Sequence, residues 1–228
     1  MQLDVYIDTV CPWCLIGKRR LERALAERPD WDVEVRWRAF QLNPEMPAQG
    51  MDRKVYLELK FGGAAGAERV YAQVREAGDS EEIPFAFDAI ARTPNSVDSH
   101  RLIRFAAGRG KQDETVEALF EAYFLRGEDI GDREVLIAAA GAADLDPAEA
   151  RAFLDSDLED QAVREEDAEA RRAGLQGVPT FIVNGKFELA LSGAHVPEVL
   201  LKLLELGRQD DADDPDAEPD RPHRSEAS

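Results

Sequence analysis

Apolar and polar positions alternate over Leu3–Asp8, and again where Val33, Val35, Trp37 and Ala39 interleave with Glu34, Arg36 and Arg38. A period of two turns one face of each segment toward a core, so both read as strands. Between them, Cys14, Leu21 and Leu25 fall on one side of a helix that starts after Cys11 and stops near Pro29. Strand, helix and strand in that order make a parallel βαβ unit with a right-handed crossover. Residues 41–47 carry two prolines and break the regular pattern.

The period changes from about 52 to 173. Val55 with Leu59, then Val70 with Val74, suggest two helices punctuated by the glycines of 62–66. Ile83–Phe87 reads as extended, and Asn95-Ser96 precedes a helix carrying Leu102, Ile103, Phe105 and Ala106. Val116, Leu119, Phe120, Tyr123 and Phe124 have strong helical spacing and read as core. Further helices are expected over 132–143, 147–154 and 157–173. The β pattern then returns: Gly177–Val183 is a β-branched run, Asn184-Gly185 signals a type I′ hairpin, and Phe187–Ser192 is the returning strand. Val196–Leu206 closes the chain as a helix, and no internal repeat is visible. The fold class is therefore α/β, residues 1–50 and 174–207, interrupted by a helical insertion over 51–173.

Composition narrows the class of protein. Of 228 residues, 44% are hydrophobic, enough for a sizeable core, and the net charge is −19. Residues 208–228 hold eight acids against three arginines and no apolar period, so they read as an acidic disordered tail. An acidic body argues against nucleic acid as a partner. The N-terminus shows neither a basic segment nor a long apolar run, and no stretch is apolar enough to span a bilayer. A cytoplasmic protein without a membrane partner is the expectation.

The chain has two cysteines, both in Cys11-Pro12-Trp13-Cys14, at the junction of the first strand and helix. The first sulfur lies at a helix N-terminus, where unpaired N–H groups and the helix dipole favour thiolate. Pro12 suits the first turn, which needs no N–H from it. Lys18, Arg19 and Arg20 follow and could add to thiolate stabilisation. Cys11 is then the nucleophile and Cys14, one turn inside, the resolving thiol. A structural disulfide over this short loop would constrain little chain entropy. Zinc would need four ligands, with only His100, His195 and His223 left to help, so no metal is expected. Trp13 sits between the sulfurs, where it would shape substrate access. His100 reads as a satisfied structural histidine, and His195 as a residue near the last helix N-terminus. Val178-Pro179 opens a strand, where proline is awkward unless it is the first residue or at an edge.

The chain resembles the thioredoxin-fold proteins of the DsbA superfamily. It is most similar to their FrnE-like cytoplasmic branch, related to kappa-class glutathione transferases and 2-hydroxychromene-2-carboxylate isomerases. The segments carrying the likeness are Asp8–Arg20, Phe40–Pro44, Asn95–Leu102, Gly177–Phe181 and Leu191–Ala194, within residues 3–206. The resemblance implies a thioredoxin-like fold with a large inserted α-helical domain and thiol–disulfide oxidoreductase or isomerase activity. It implies catalytic roles for Cys11, Cys14 and a cis Pro179. It also implies a substrate site of Pro12, Trp13, Val178, Asn95, Ser192 and Gly193. Substrates would be protein or small-molecule disulfides and thiols. No cofactor would be tightly bound, but glutathione would be a candidate co-substrate through the Val178 backbone and the Ser192-Gly193 turn. A homodimer is implied by the family only. In the transferase and isomerase relatives a serine matches Cys11, so glutathione-dependent transfer or isomerisation ranks second here.

Overall fold

The alternating segments from both ends of the chain meet in one sheet. In a computed structural model, which describes residues 1–185 and 188–212, the strands are β1 (Gln2–Ile7), β2 (Glu34–Ala39), β3 (Met51–Asp52), β4 (Arg92–Thr93), β5 (Thr180–Asn184) and β6 (Leu189–Ser192). The helices are α1 (Pro12–Ala26), α2 (Arg53–Phe61), α3 (Ala64–Asp79), α4 (Val97–Ala107), α5 (Gln112–Phe120), α6 (Arg133–Ala142), α7 (Pro147–Leu154), α8 (Asp160–Arg172) and α9 (Pro197–Ala212). Four strands pair in the order β2-β1-β5-β6. β1 runs parallel to β2, with Val5 opposite Trp37, and antiparallel to β5, with Val5 opposite Phe181. Leu3, Val5 and Ile7 are buried, and Gln2, Asp4 and Tyr6 are less so, as the period requires.

Local chemistry explains where the helices begin. The carboxylates of Asp52, Asp132 and Asp146 cap α2, α6 and α7 by accepting from backbone N–H groups of the first turn. Such a cap contributes about 1 kcal/mol. Gly62 ends α2 in the left-handed region, φ +71°, which a side chain would resist.

Three details depart from the sequence pattern. Ile83–Phe87 does not pair as a strand. The rings of Phe85 and Phe87 turn inward and stack at 4.7 Å, Tyr71 stacks on Phe87 at 4.5 Å, and a 3₁₀ turn begins at Phe87. Residues 121–125 form a π-turn in which Arg126 N–H reaches Glu121 O, although Phe120, Tyr123 and Phe124 are buried as expected. α9 continues to Ala212, past the expected helix limit at Leu206 and into the segment expected to be disordered tail. The tail from 213 onward, and Lys186 and Phe187 of the expected hairpin turn and strand, lie outside the described residues.

The insertion is stapled to the open edge of the sheet by side chains that imitate a neighbouring strand. Gln112 accepts from Trp37 N–H and donates to Trp37 O, each at 3.0 Å. Glu166 accepts from Ala39 N–H at 2.9 Å and Asp167 from Gln41 N–H at 2.8 Å. An edge strand left unpaired would invite other chains. Gln112→Ala is expected to lower unfolding free energy by about 1–3 kcal/mol, because it orphans two backbone groups. Urea denaturation checks this, and an unchanged midpoint would mean that water replaces the amide. One contiguous core joins both segments, with Leu3, Phe181, Leu119 and Phe124 among its fully buried members.

Candidate functional site

Cys11 is the N-cap of α1, with extended backbone angles of φ −96° and ψ 112°, and Pro12 follows at the first helical position. Asp8 O accepts Cys11 N–H, and Cys11 O accepts Cys14 N–H, both at 3.0 Å. Cys11 is 4% exposed and Cys14 fully buried, and both are free thiols. Burial pushes the Cys14 thiol well above the ordinary thiol range, and the adjacent Cys11 sulfur adds to the effect.

The far end of the chain arrives against this turn. The Val178–Pro179 bond is cis, and the Cys11 Sγ–H points at Val178 O, 3.7 Å away. Gly193 N–H donates to Pro179 O at 2.8 Å, and the Thr180 and Ser192 hydroxyls are 2.9 Å apart. Gly193 has φ +105°, which places its N–H on the proline loop. Cys11, Val178, Pro179, Ser192 and Gly193 therefore form one constellation. Pro12 and Trp13 are half-buried beside it. The His195 ring nitrogen lies 2.9 Å from Ser192 O, so His195 belongs to that turn as well as to the entry of α9.

The other expected residues are placed differently. Both ends of the Asn95 amide meet backbone: Nδ2 donates to Met46 O at 2.6 Å and Oδ1 accepts Val97 N–H at 2.9 Å. Asn95 thus straps the 43–47 loop to α4. The three basic residues after the motif do not serve the thiolate, because each is held by carboxylates. Lys18 is almost wholly buried against Asp113, Glu117 and Glu22; burial opposes its charge, but the carboxylates outweigh it and raise its pKa. Arg19 pairs with Glu117, and Arg20 with the buried Glu81 and with Ala194 O. His100 is buried as expected but is not satisfied. Its Nε2 has no hydrogen-bond partner and lies 3.8 Å from Asp8 Oδ1.

Two residues matter that the sequence reading passed over. Asp8 is fully buried beneath the motif; its carboxylate accepts Leu42 N–H at 2.6 Å and Val10 N–H at 3.3 Å. It thereby ties the cysteine loop to the segment after β2. Gly17 lies mid-helix, where glycine costs about 1 kcal/mol relative to alanine. A Cβ there would stand 2.8 Å from Pro179 Cγ, so the missing side chain lets α1 approach the proline. An aspartate at a strand end and a glycine inside an apolar helix were the available signals.

Comparison with known proteins agrees with this geometry. A profile described as the DSBA-like thioredoxin domain matches residues 2–205. The uncharacterized protein YwbO of Bacillus subtilis (strain 168) is 26% identical over 208 residues, 90% of this chain and 96% of that protein. The crystal structure of a probable DsbA oxidoreductase from Streptomyces coelicolor superposes with a TM-score of 0.81 at 29% identity, covering 92% of this chain and 90% of that one. The cytosolic disulfide reductase DsbM from Pseudomonas aeruginosa superposes with a TM-score of 0.66 at 19% identity, covering 92% and 99%, and shares the fold.

Proposed function

Because this chain belongs to the DSBA-like thioredoxin domain family, we propose that it is a thiol–disulfide oxidoreductase whose dithiol is Cys11 and Cys14. The observation that carries this is the meeting of Cys11 Sγ, at the N-terminus of α1, with Val178 O of the cis-proline loop. Cys11 thiolate attacks one sulfur of a substrate disulfide: the Cys11–substrate bond forms, the substrate S–S bond breaks, and one thiolate leaves. Cys14 then loses its proton and attacks Cys11 Sγ, which releases the second substrate thiol. The dithiol has given two electrons and ends as a disulfide. A thiol such as glutathione returns the electrons in the reverse sense. Burial raises the Cys14 pKa and so favours its protonated form during the first step, which supports this division of roles.

The substrate main chain would lie along Val178, whose N–H makes no hydrogen bond among the described residues. The Ser192-Gly193 turn, whose Gly193 N–H donates to Pro179 O, would flank the substrate on the other side. Glutathione is a candidate because the structure of DsbM has been solved with it. No described helix is long and apolar enough to cross a membrane, and the cytosolic address of DsbM supports a cytoplasmic site of action.

Cys14→Ala is expected to accumulate mixed disulfides through Cys11, visible by non-reducing electrophoresis and mass spectrometry. Raising pH should shorten the life of the wild-type adduct, since a buried thiol with a raised pKa attacks faster as it ionises. Absence of any trapped species from Cys14→Ala under oxidant would defeat the exchange mechanism.

A further inference from the structure

Residues 43–47 take no part in the exchange chemistry above, yet they form one wall of an open cavity of about 290 Å³. Met46, Pro47 and Met51 supply apolar lining, and α2 closes the opposite side with Tyr56 and Leu59. Leu59 is 72% exposed, and Val55, one turn before it, is 48% exposed. The segment that leads into this wall is tied to the dithiol loop through Asp8, whose carboxylate holds Leu42 N–H at 2.6 Å while its carbonyl holds Cys11 N–H. Asn43, the next residue along, is the first lining residue.

One cation, Lys60, lines the cavity and a second, Arg53, lies behind it, and neither pairs with a carboxylate among the described residues. Lys60 Nζ donates to Asn43 Oδ1 at 3.0 Å and forms no ion pair among the described residues. Behind Tyr56, whose ring lies 5.4 Å from its guanidinium, Arg53 is 7% exposed. Its partners are neutral: Thr93 Oγ1 at 2.8 Å, Tyr123 OH at 3.3 Å, and Tyr71 OH. Burial pushes both phenols above the ordinary tyrosine range, with Arg53 pulling back only in part, so neither supplies a negative charge near neutral pH. Two cations without carboxylate partners among the described residues thus lie beside one apolar hollow, in a chain of net charge −19. Glu45, on the exposed rim, is the single acid in the lining.

We propose that this cavity binds the apolar, carboxylate-bearing part of the disulfide substrate whose sulfur is attacked by Cys11. The proposal rests on the thiol–disulfide reading. The apolar wall takes the hydrocarbon or aromatic body, and Lys60, with Asn43 and Tyr56 OH, takes the carboxylate. Two sources share that chemistry: a small aromatic acid carrying a disulfide, and a peptide whose C-terminal carboxylate follows an apolar residue.

Rates of the reduced full-length chain separate these cases. The probes are dithiobis(nitrobenzoate), which carries aromatic carboxylates, and the uncharged dithiodipyridine. Lys60→Gln is expected to slow the first about tenfold and to change the second less than about twofold, as loss of one charge-assisted contact implies. Glu45→Gln should quicken the first, and Leu59→Ser should slow both. Lys54→Gln, an exposed lysine of the same helix outside the lining, should change neither. A disulfide of acetyl-Cys-Leu, as free acid and as amide, separates the sources. A Lys60→Gln loss for the acid alone assigns a peptide terminus, and a loss confined to the nitrobenzoate assigns small aromatic acids. Equal effects of Lys54→Gln and Lys60→Gln, or none from either, would overturn the cavity while leaving the exchange reading intact. A wild-type chain inert toward every disulfide would overturn both.

Discussion

Cys11→Ser is expected to bring disulfide reduction to background, a fall of about a thousandfold or more, because a hydroxyl is a far weaker nucleophile than a thiolate near neutral pH. Oxygen and sulfur differ little in volume, and Cys11 contributes to the fold chiefly through its backbone as the N-cap of α1. The thermal midpoint should therefore move little, which separates lost chemistry from lost structure. Cys14→Ser should behave otherwise. It retains the first attack and loses resolution, so a single stoichiometric burst should replace turnover. An insulin-reduction assay with burst analysis distinguishes these patterns. Turnover surviving in Cys11→Ser would place the chemistry elsewhere in the chain, and the proposed mechanism would fall.

Phe124→Ala is expected to remove about 3–5 kcal/mol of stability, the range for truncating a fully buried aromatic. Phe124 has no exposed surface and is the hub of an aromatic cluster. Tyr123 lies 4.9 Å from it, Phe85 5.7 Å, Phe120 6.1 Å and Phe87 6.3 Å, mostly in edge-to-face contact. Its carbonyl also accepts Ala86 N–H at 2.8 Å, so the irregular 83–87 segment is anchored at this residue. Phe124→Leu should cost less, because it keeps most of the apolar volume. Urea denaturation checks both variants. A loss near zero for Phe124→Ala would mean that the cluster collapses into the gap.

Much of the candidate site's local geometry was legible because its signals are local. A Cys-Pro-Trp-Cys turn between a strand and a helix specifies its own geometry through helix N-terminal chemistry, and cap residues such as Asp146-Pro147 mark a helix start. The basic run Lys18–Arg20 misled for a related reason. Proximity in sequence says where a charge starts, but its partners Asp113, Glu117 and Glu81 come from elements folded in from a distance. The partners of the Asn95 amide were hidden for the same reason, since the backbone groups that engage it include Met46 O, 49 residues away.

The sequence by itself determined most of the strands and helices, the existence of a long helical insertion, and the cysteine pair at the start of α1. Periods of two and of 3.6 residues, and the demands of helix ends, are properties of near neighbours. Tertiary structure alone decided what surrounds the sulfurs. Cys11 meets Val178 across 167 positions, and Thr9 meets Ser99 across 90. Gly17 finds its purpose only against Pro179, and His100 only beside Asp8. Such contacts depend on how packed elements exclude one another, and a residue's burial and pairing follow from that packing.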